Sequence, residues 1–158
     1  MICSLQEAML AREEARARGA TVAVANGAFD LLHVGHVRYL RAARELLGPE
    51  GLLIVGVNSD ASVRASKGPK RPVLPERERA EIVDAISGVD CVVIFEEKTA
   101  GPLLEALRPD FHVKGTDYTS ETVPERELVA SWGGRTVIAG DPKDHSTTDV
   151  LERLKALL

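Results

Sequence analysis

Five short apolar runs recur along the chain between segments of helical length, and none of them alternates polar with apolar residues. They are Thr21-Val22-Ala23-Val24-Ala25, Leu52-Leu53-Ile54-Val55-Gly56-Val57, Cys91-Val92-Val93-Ile94-Phe95, Phe111-His112-Val113 and Thr136-Val137-Ile138-Ala139. A strand that is apolar on both faces must be covered on both faces, which is the habit of a parallel sheet between two layers of helices. The intervening segments run over about 35–47, closed by Gly48-Pro49, about 75–86, closed by Gly88, about 100–107, before Pro109, about 124–132, closed by Gly133-Gly134, and about 147–157. A further helix at about 5–18 opens with the capping box Ser4-Leu5-Gln6-Glu7 and stops at Gly19. This β-α-β-α order predicts a single α/β domain over residues 1–158. Its expected form is a three-layer Rossmann-like fold around a five-stranded parallel sheet, with ligands beyond the carboxyl ends of the strands. Asn58 to Pro75, polar and rich in Gly and Pro, reads as a long loop of the kind that is often functional.

Charge and composition narrow the partners. With 20 Lys+Arg against 24 Asp+Glu, the net charge of -4 gives no overall field for coating nucleic acid or an anionic membrane. No apolar run approaches the roughly 20 residues of a membrane span, and Glu7, Arg12, Glu13 and Glu14 break any signal-peptide core. Cys3 and Cys91 fit no C-x-x-C spacing and are too few to brace a small secreted fold, so they are read as belonging to a reducing, cytoplasmic compartment with no redox role.

The segment after the first strand, Asn26-Gly27-Ala28-Phe29-Asp30-Leu31-Leu32-His33-Val34-Gly35-His36, opens a helix. It contains neither G-x-G-x-x-G nor a P-loop, so phosphate must be held in another way. Gly27 permits a close turn, and the first amides of the helix carry partial positive charge. His33 and His36, three apart, share one face of its first turn, with Gly35 between them leaving the backbone approachable. Two imidazole donors beside a helix N-terminus suit a phosphate whose negative charge grows during reaction. The plainer readings are core or surface histidines, or a metal pair; a closed zinc site wants more N or S ligands than this segment offers, so no metal site is expected.

The string resembles the nucleotidyltransferases with the H-x-G-H signature, and within them the adenylyltransferases of ADP-heptose synthesis. The resemblance runs on through Val55-Gly56-Val57-Asn58-Ser59-Asp60, Lys67-Gly68-Pro69 with Arg71-Pro72, Arg79-Ala80-Glu81, Leu107-Arg108-Pro109-Asp110, Val113-Lys114-Gly115 with Asp117-Tyr118, and His145-Ser146-Thr147-Thr148. It implies transfer of AMP from ATP to a heptose 1-phosphate, with Mg2+ carried on the triphosphate, His33, His36 and Lys67 at the reacting phosphates, and Arg79 as a further phosphate contact. It places Gly27, Ala28, Phe29, Asp30, Gly35, Lys114, Gly115 and Asp117 around the nucleotide. It also implies a homo-oligomer, and a separate sugar kinase upstream, since the kinase half fused to many relatives is expected to be absent. Such a reaction needs no protein nucleophile, because the sugar phosphate itself attacks, and catalysis is positioning plus stabilisation of charge on phosphate oxygens.

Other segments are read from their chemistry. Arg64, Lys67, Lys70 and Arg71 make a basic stretch free of acidic residues. It can be a solvated face or a nucleic-acid patch, but its place after a strand end favours a mobile lid that grips phosphate. Asn58-Ser59-Asp60 is either ordinary turn chemistry or a set of short side chains reaching the sugar substrate, with Asn58, Asp60 and Arg71 as the substrate-binding candidates. Lys114, at a buried strand end, needs a charged partner. Ser146-Thr147-Thr148 opens the last helix; one hydroxyl serves as N-cap, and together with the helix amides the three make a second anion site for nucleotide phosphates. Tyr39 and Trp132 read as core or rim packing. Ala28 stands where the family commonly has Cys, Ser or Thr, and Thr116 replaces a usual second Gly. The segment from Ala139 to Asp144 is also unlike the longer connections expected. Two other functions remain open from the sequence: a CTP-dependent enzyme acting on glycerol 3-phosphate or a phospho-alcohol, and a non-catalytic nucleotide sensor.

Overall fold

The computed structural model describes residues 1–142 and 146–158; Lys143, Asp144 and His145, the last of them part of the quoted His-Ser-Thr-Thr run, lie outside the described residues. Strands β1 (Val22–Gly27), β2 (Leu52–Asn58), β3 (Cys91–Phe95), β4 (Phe111–Lys114) and β5 (Arg135–Ile138) form one sheet in the order β3-β2-β1-β4-β5, and every pairing is parallel. The helices are α1 (Leu5–Ala17), α2 (Val34–Glu45), α3 (Asp60–Lys67), α4 (Glu76–Asp84), α5 (Gly101–Leu107), α6 (Arg126–Ala130) and α7 (Thr147–Leu157).

The period of two along each strand builds two cores. Val22 and Val24 of β1, Ile54 of β2 and Val93 of β3 pack with Leu103, Leu104 and Leu107 of α5 and Ala8 and Ala15 of α1. Ala23 and Ala25, Leu53, Val55 and Val57, and Val92 face the other way, against Leu40 and Ala43 of α2 and Ala80 and Val83 of α4. Both faces of the central strands are therefore fully covered, which is the reason their sequences never alternate. Gly56 sits at a close approach: a Cβ there would stand 2.5 Å from Leu103 Cδ2.

The sheet reverses direction at β1. The chain steps outward from β1 to β2 and β3, then crosses back to lay β4 and β5 on the other side. Such a switch point opens a crevice beyond the carboxyl ends of the two strands that flank it, here β1 and β4.

Two expectations are corrected. Asn58 to Pro75 is not all loop, because α3 occupies its first half. Ser59 caps it by accepting the amide of Ser62 (3.2 Å), Asp60 lies in its first turn and Arg64 and Lys67 in its last, and Val63 buries its inner face. Cys3 and Cys91 are not separate thiols; they form a disulfide with Cα atoms 6.3 Å apart. Spacing along the chain concealed this pair because Met1 to Cys3 lies as a short parallel bridge along β3, pairing Ile2 with Val92. Among the described residues, no helix is long and apolar enough to cross a membrane.

Candidate active site

The crevice at the switch point has a volume of roughly 870 Å3. The loop after β1, the start of α2, the ends of β2 and β4, the end of α3 and the start of α7 all open onto it. Of the expected site residues, sixteen line it and two, Asp60 and Arg79, do not.

The two histidines are fixed by the backbone they cap. His33 is the N-cap of α2, and its Nδ1 accepts the amide of Gly35 (3.1 Å). His36 reaches back, its Nδ1 accepting the amide of His33 (3.2 Å). A nitrogen that accepts an N–H carries no proton, so in the neutral His36 ring the proton resides on Nε2. The rings lie 4.0 Å apart, and Phe29, itself buried, stands behind His36 with its centroid 5.4 Å away and 6.5 Å from Tyr39. The His36 ring can therefore donate its Nε2–H without a change of charge. Burial above all, then the neighbouring His33 and Lys67 charges, push the His36 pKa down to about 4, against the opposing pull of Asp117 and Asp30.

The loop that delivers these rings is strained. Phe29 and Leu31 both take φ of 50°, a left-handed conformation that side chains seldom adopt. Asp30, between them, holds the loop in place. Its buried carboxylate accepts the amides of Val73 (3.0 Å) and Leu74 (3.1 Å) and pairs with Arg71 Nε at 3.0 Å. The Asp30 side chain thus fastens residues 71–74 at the crevice it lines. The far end of the expected lid is pinned by the same carboxylate, and its first half is the last turn of α3.

Arg79 lies outside the residues that line the crevice. It is fully buried, with Nε donating to Leu74 O (2.9 Å), Nη1 to Ala28 O and Nη2 to Asp60 Oδ1 (2.9 Å). It braces the crevice wall from behind, and Asp60 is its counter-ion, with the Asp60 amide donating to Glu76 (2.7 Å).

On the crevice floor, Lys67 and Arg71 are neighbours. Desolvation first, and then the Arg71 charge, hold the Lys67 ammonium below the usual lysine range. Across the crevice Lys114 is also lowered, chiefly by burial, while Glu125 and Asp117 supply the expected charged partners. Its ammonium lies 4.6 Å from the centre of the Tyr118 ring. A Cβ on Gly115 would meet nothing within 4 Å, so that position faces open space. Asn58, which lines the crevice, donates its Nδ2 to Ser62 Oγ (3.1 Å).

Two of the three hydroxyls at the start of α7 are already engaged. Ser146 accepts the amide of Asp149 (3.1 Å) as N-cap, and Thr147 Oγ1 donates to the carbonyl of Asp30 (2.7 Å), tying α7 to the β1 loop. Thr148 remains exposed at the crevice. Sequence reasoning missed Lys98 and Thr99, which line the crevice just beyond β3; the strand-end rule that found Lys114 applies to them equally.

One stability consequence follows from the imidazoles. His112, fully buried on β4, is pushed down to about 3 by burial and then by the Lys114 charge. Between the ordinary value of about 6.5 and these depressed values, the unfolded chain binds protons that the folded chain refuses, so stability falls as the pH drops from about 6.5. For His112 the loss by pH 5 is about 2 kcal/mol, at about 1.4 kcal/mol per pH unit. Urea midpoints at pH 7 and pH 5 measure it; a midpoint that holds steady, or a His112→Leu variant that loses as much as the parent, contradicts the assignment.

Together the sheet order and the cation-lined switch-point crevice define a Rossmann-like α/β domain with a site suited to a polyanionic ligand. The sequence matches the family model described as cytidylyltransferase-like over residues 24–153. It is 52% identical over 142 residues, 90% of this chain and 28% of the relative, to the bifunctional protein HldE of Syntrophotalea carbinolica. It is 48% identical over 155 residues, 98% of this chain and 31% of the relative, to HldE of Acidiphilium cryptum. The chain thus spans about three-tenths of the length of these relatives. The crystal structure of the lipopolysaccharide core biosynthesis protein from Thermoplasma volcanium shares the fold, with a TM-score of 0.67 at 24% identity over 79% of this chain and all of that one. The chain belongs to the cytidylyltransferase-like family.

Proposed function

We propose that the domain transfers AMP from ATP to a heptose 1-phosphate, releasing pyrophosphate. The observation that carries the transferase reading is the pair of rings at the start of α2, His33 and His36, 4.0 Å apart and each with Nδ1 held by a backbone amide; burial keeps the His36 ring neutral, so its Nε2–H can donate. A nucleotide's triphosphate seats against the N-terminus of α2, where the amides and the Nε2–H of His36, with His33 beside it, meet oxygens that gain charge as pyrophosphate departs. Lys67 and Arg71 neutralise the same oxygens from α3 and the loop beyond it. The acceptor's phosphate attacks the α-phosphorus in line, so no side chain needs to act as nucleophile. Lys114, at the end of β4, suits the nucleotide, and Asn58, at the end of β2, the sugar substrate. Magnesium would enter on the triphosphate, as part of the substrate.

The choice of acceptor and base rests on the extent of likeness to the bifunctional HldE proteins, about half of all positions over nine-tenths of the chain. The test is pyrophosphate release from ATP and from CTP, each with heptose 1-phosphate and with glycerol 3-phosphate. Turnover is expected with ATP and heptose 1-phosphate; turnover with CTP alone removes the heptose reading, and no turnover with any pair favours a sensor. Size-exclusion chromatography with light scattering tests the proposed homo-oligomer.

A further inference from the structure

His112 has no part in the reaction derived above, yet it is expensive to keep. It lies on β4 in register with Val24 of β1, fully buried, and its Nε2 is 2.8 Å from Oδ1 of Asn26, two residues further along β1. Its other nitrogen, Nδ1, is buried without a partner among the described residues. Leucine or valine at this position would fill the core with no such cost, so packing does not account for the histidine.

The orphaned nitrogen settles which way the pair is wired. A buried N–H without an acceptor is costlier and rarer than a buried lone pair without a donor. The proton therefore sits on Nε2, which donates to Asn26, and Nδ1 keeps the unused lone pair. Burial keeps the ring uncharged, so this tautomer persists at neutral pH. Asn26 must then receive the bond on its carbonyl oxygen. Its amide nitrogen, with two N–H groups, is left for the crevice that Asn26 lines.

With its oxygen turned to His112, Asn26 presents its two N–H donors to the crevice, which match a ligand whose atoms only accept. We infer that His112 is a positioning residue that locks Asn26 as a donor to a phosphate oxygen of the bound nucleotide. The inference rests on the nucleotidyltransferase reading above, but not on the identity of the acceptor.

The test reads phosphate binding directly, by calorimetry with ATP and with inorganic tripolyphosphate, neither of which requires the acceptor to be known. Asn26→Ala and His112→Leu are each expected to weaken both probes by about tenfold, as for the loss of one hydrogen bond to a charged group. The double variant is expected to be no weaker than Asn26→Ala alone, and His112→Gln, which keeps a donor near Nε2, to recover most of the affinity. Thermal midpoints separate positioning from packing, because His112→Leu should hold or raise the midpoint while it weakens binding. Asn26→Asp gives a check that does not depend on how His112 variants fold: it retains the acceptor for His112 but turns an anion toward the phosphate, so it should bind more weakly than Asn26→Ala. Unchanged tripolyphosphate affinity in Asn26→Ala, a His112→Leu loss that adds to it, or Asn26→Asp binding as well as the parent overturns the inference. A parent that binds both probes yet makes no product from heptose 1-phosphate refutes the acceptor assignment and leaves this one standing.

Discussion

His36→Ala is expected to lower kcat by about a hundredfold or more, the usual cost of removing one preorganised donor from charge that develops in a transition state. The structure supplies the reason for the size. His36 Nε2–H belongs to a neutral ring whose pKa is pushed down to about 4, so the donor is present at full strength across the physiological range and needs no proton uptake to act. The ring is also held on both sides, by the His33 amide at Nδ1 and by Phe29 behind it, so little reorganisation is needed when charge builds. Alanine removes a second function as well, since the His33 amide loses its cap, at a cost of about 1 kcal/mol. His36→Asn separates the two. Its carbonyl oxygen can still accept the His33 amide, but its side chain is too short to replace Nε2–H. Stability close to the parent's together with a rate as low as that of alanine is the expected result, measured by thermal midpoint and by pyrophosphate release. A His36→Asn enzyme that turns over like the parent removes His36 from the reacting centre.

The architecture was legible because burial on both faces leaves a clear trace in a sequence. Val22 to Ala25 and Leu52 to Val57 contain no polar face, and that alone requires helices above and below the sheet. The crevice was legible for a related reason: in a parallel sheet the chemistry collects at strand ends, which picked out the His33 and His36 pair, Asn58, Lys114 and Gly115. The direction of a charged side chain was harder to read. Arg79, in the charged run Glu76-Arg77-Glu78-Arg79, entered only through the family resemblance, and nothing in that run marks it as buried. Its helical neighbour four residues on is Val83, a core residue, so Arg79 shares the inward stripe of α4. The partners of Asp30, Val73 and Leu74, lie 43 and 44 residues away and leave no local mark. The wiring of His112 to Asn26 joins two strands side by side in the sheet but 86 residues apart in the chain, and no spacing rule announces it.

Replacing Arg79 should therefore act on the fold before it acts on the substrate. The guanidinium fills a fully buried space and spends its donors on the carbonyls of Leu74 and Ala28 and on the Asp60 carboxylate. Arg79→Ala strips three acceptors of their donor, leaves the Asp60 charge without its partner, and opens a cavity behind the strained loop that carries Phe29 and Asp30. Breaking a buried pair from one side costs about 3–5 kcal/mol. At roughly 2–4 °C per kcal/mol for a chain of this size, the thermal midpoint should fall by about 10 °C. Arg79→Lys is the sharper test. Lysine keeps the charge, so an arginine that served chiefly as a phosphate contact would be partly replaced, with the midpoint preserved and only the affinity for ATP reduced. A single ammonium cannot span three acceptors lying in the fork of a guanidinium, so the structural role requires Arg79→Lys to lose most of the stability that Arg79→Ala loses. The loop it braces would then relax, and the His33 and His36 donors would lose their fixed approach to the phosphates, so kcat should fall with the midpoint rather than KM for ATP rising alone. An Arg79→Lys protein that melts with the parent and differs only in KM for ATP would move Arg79 from behind the crevice wall to its surface.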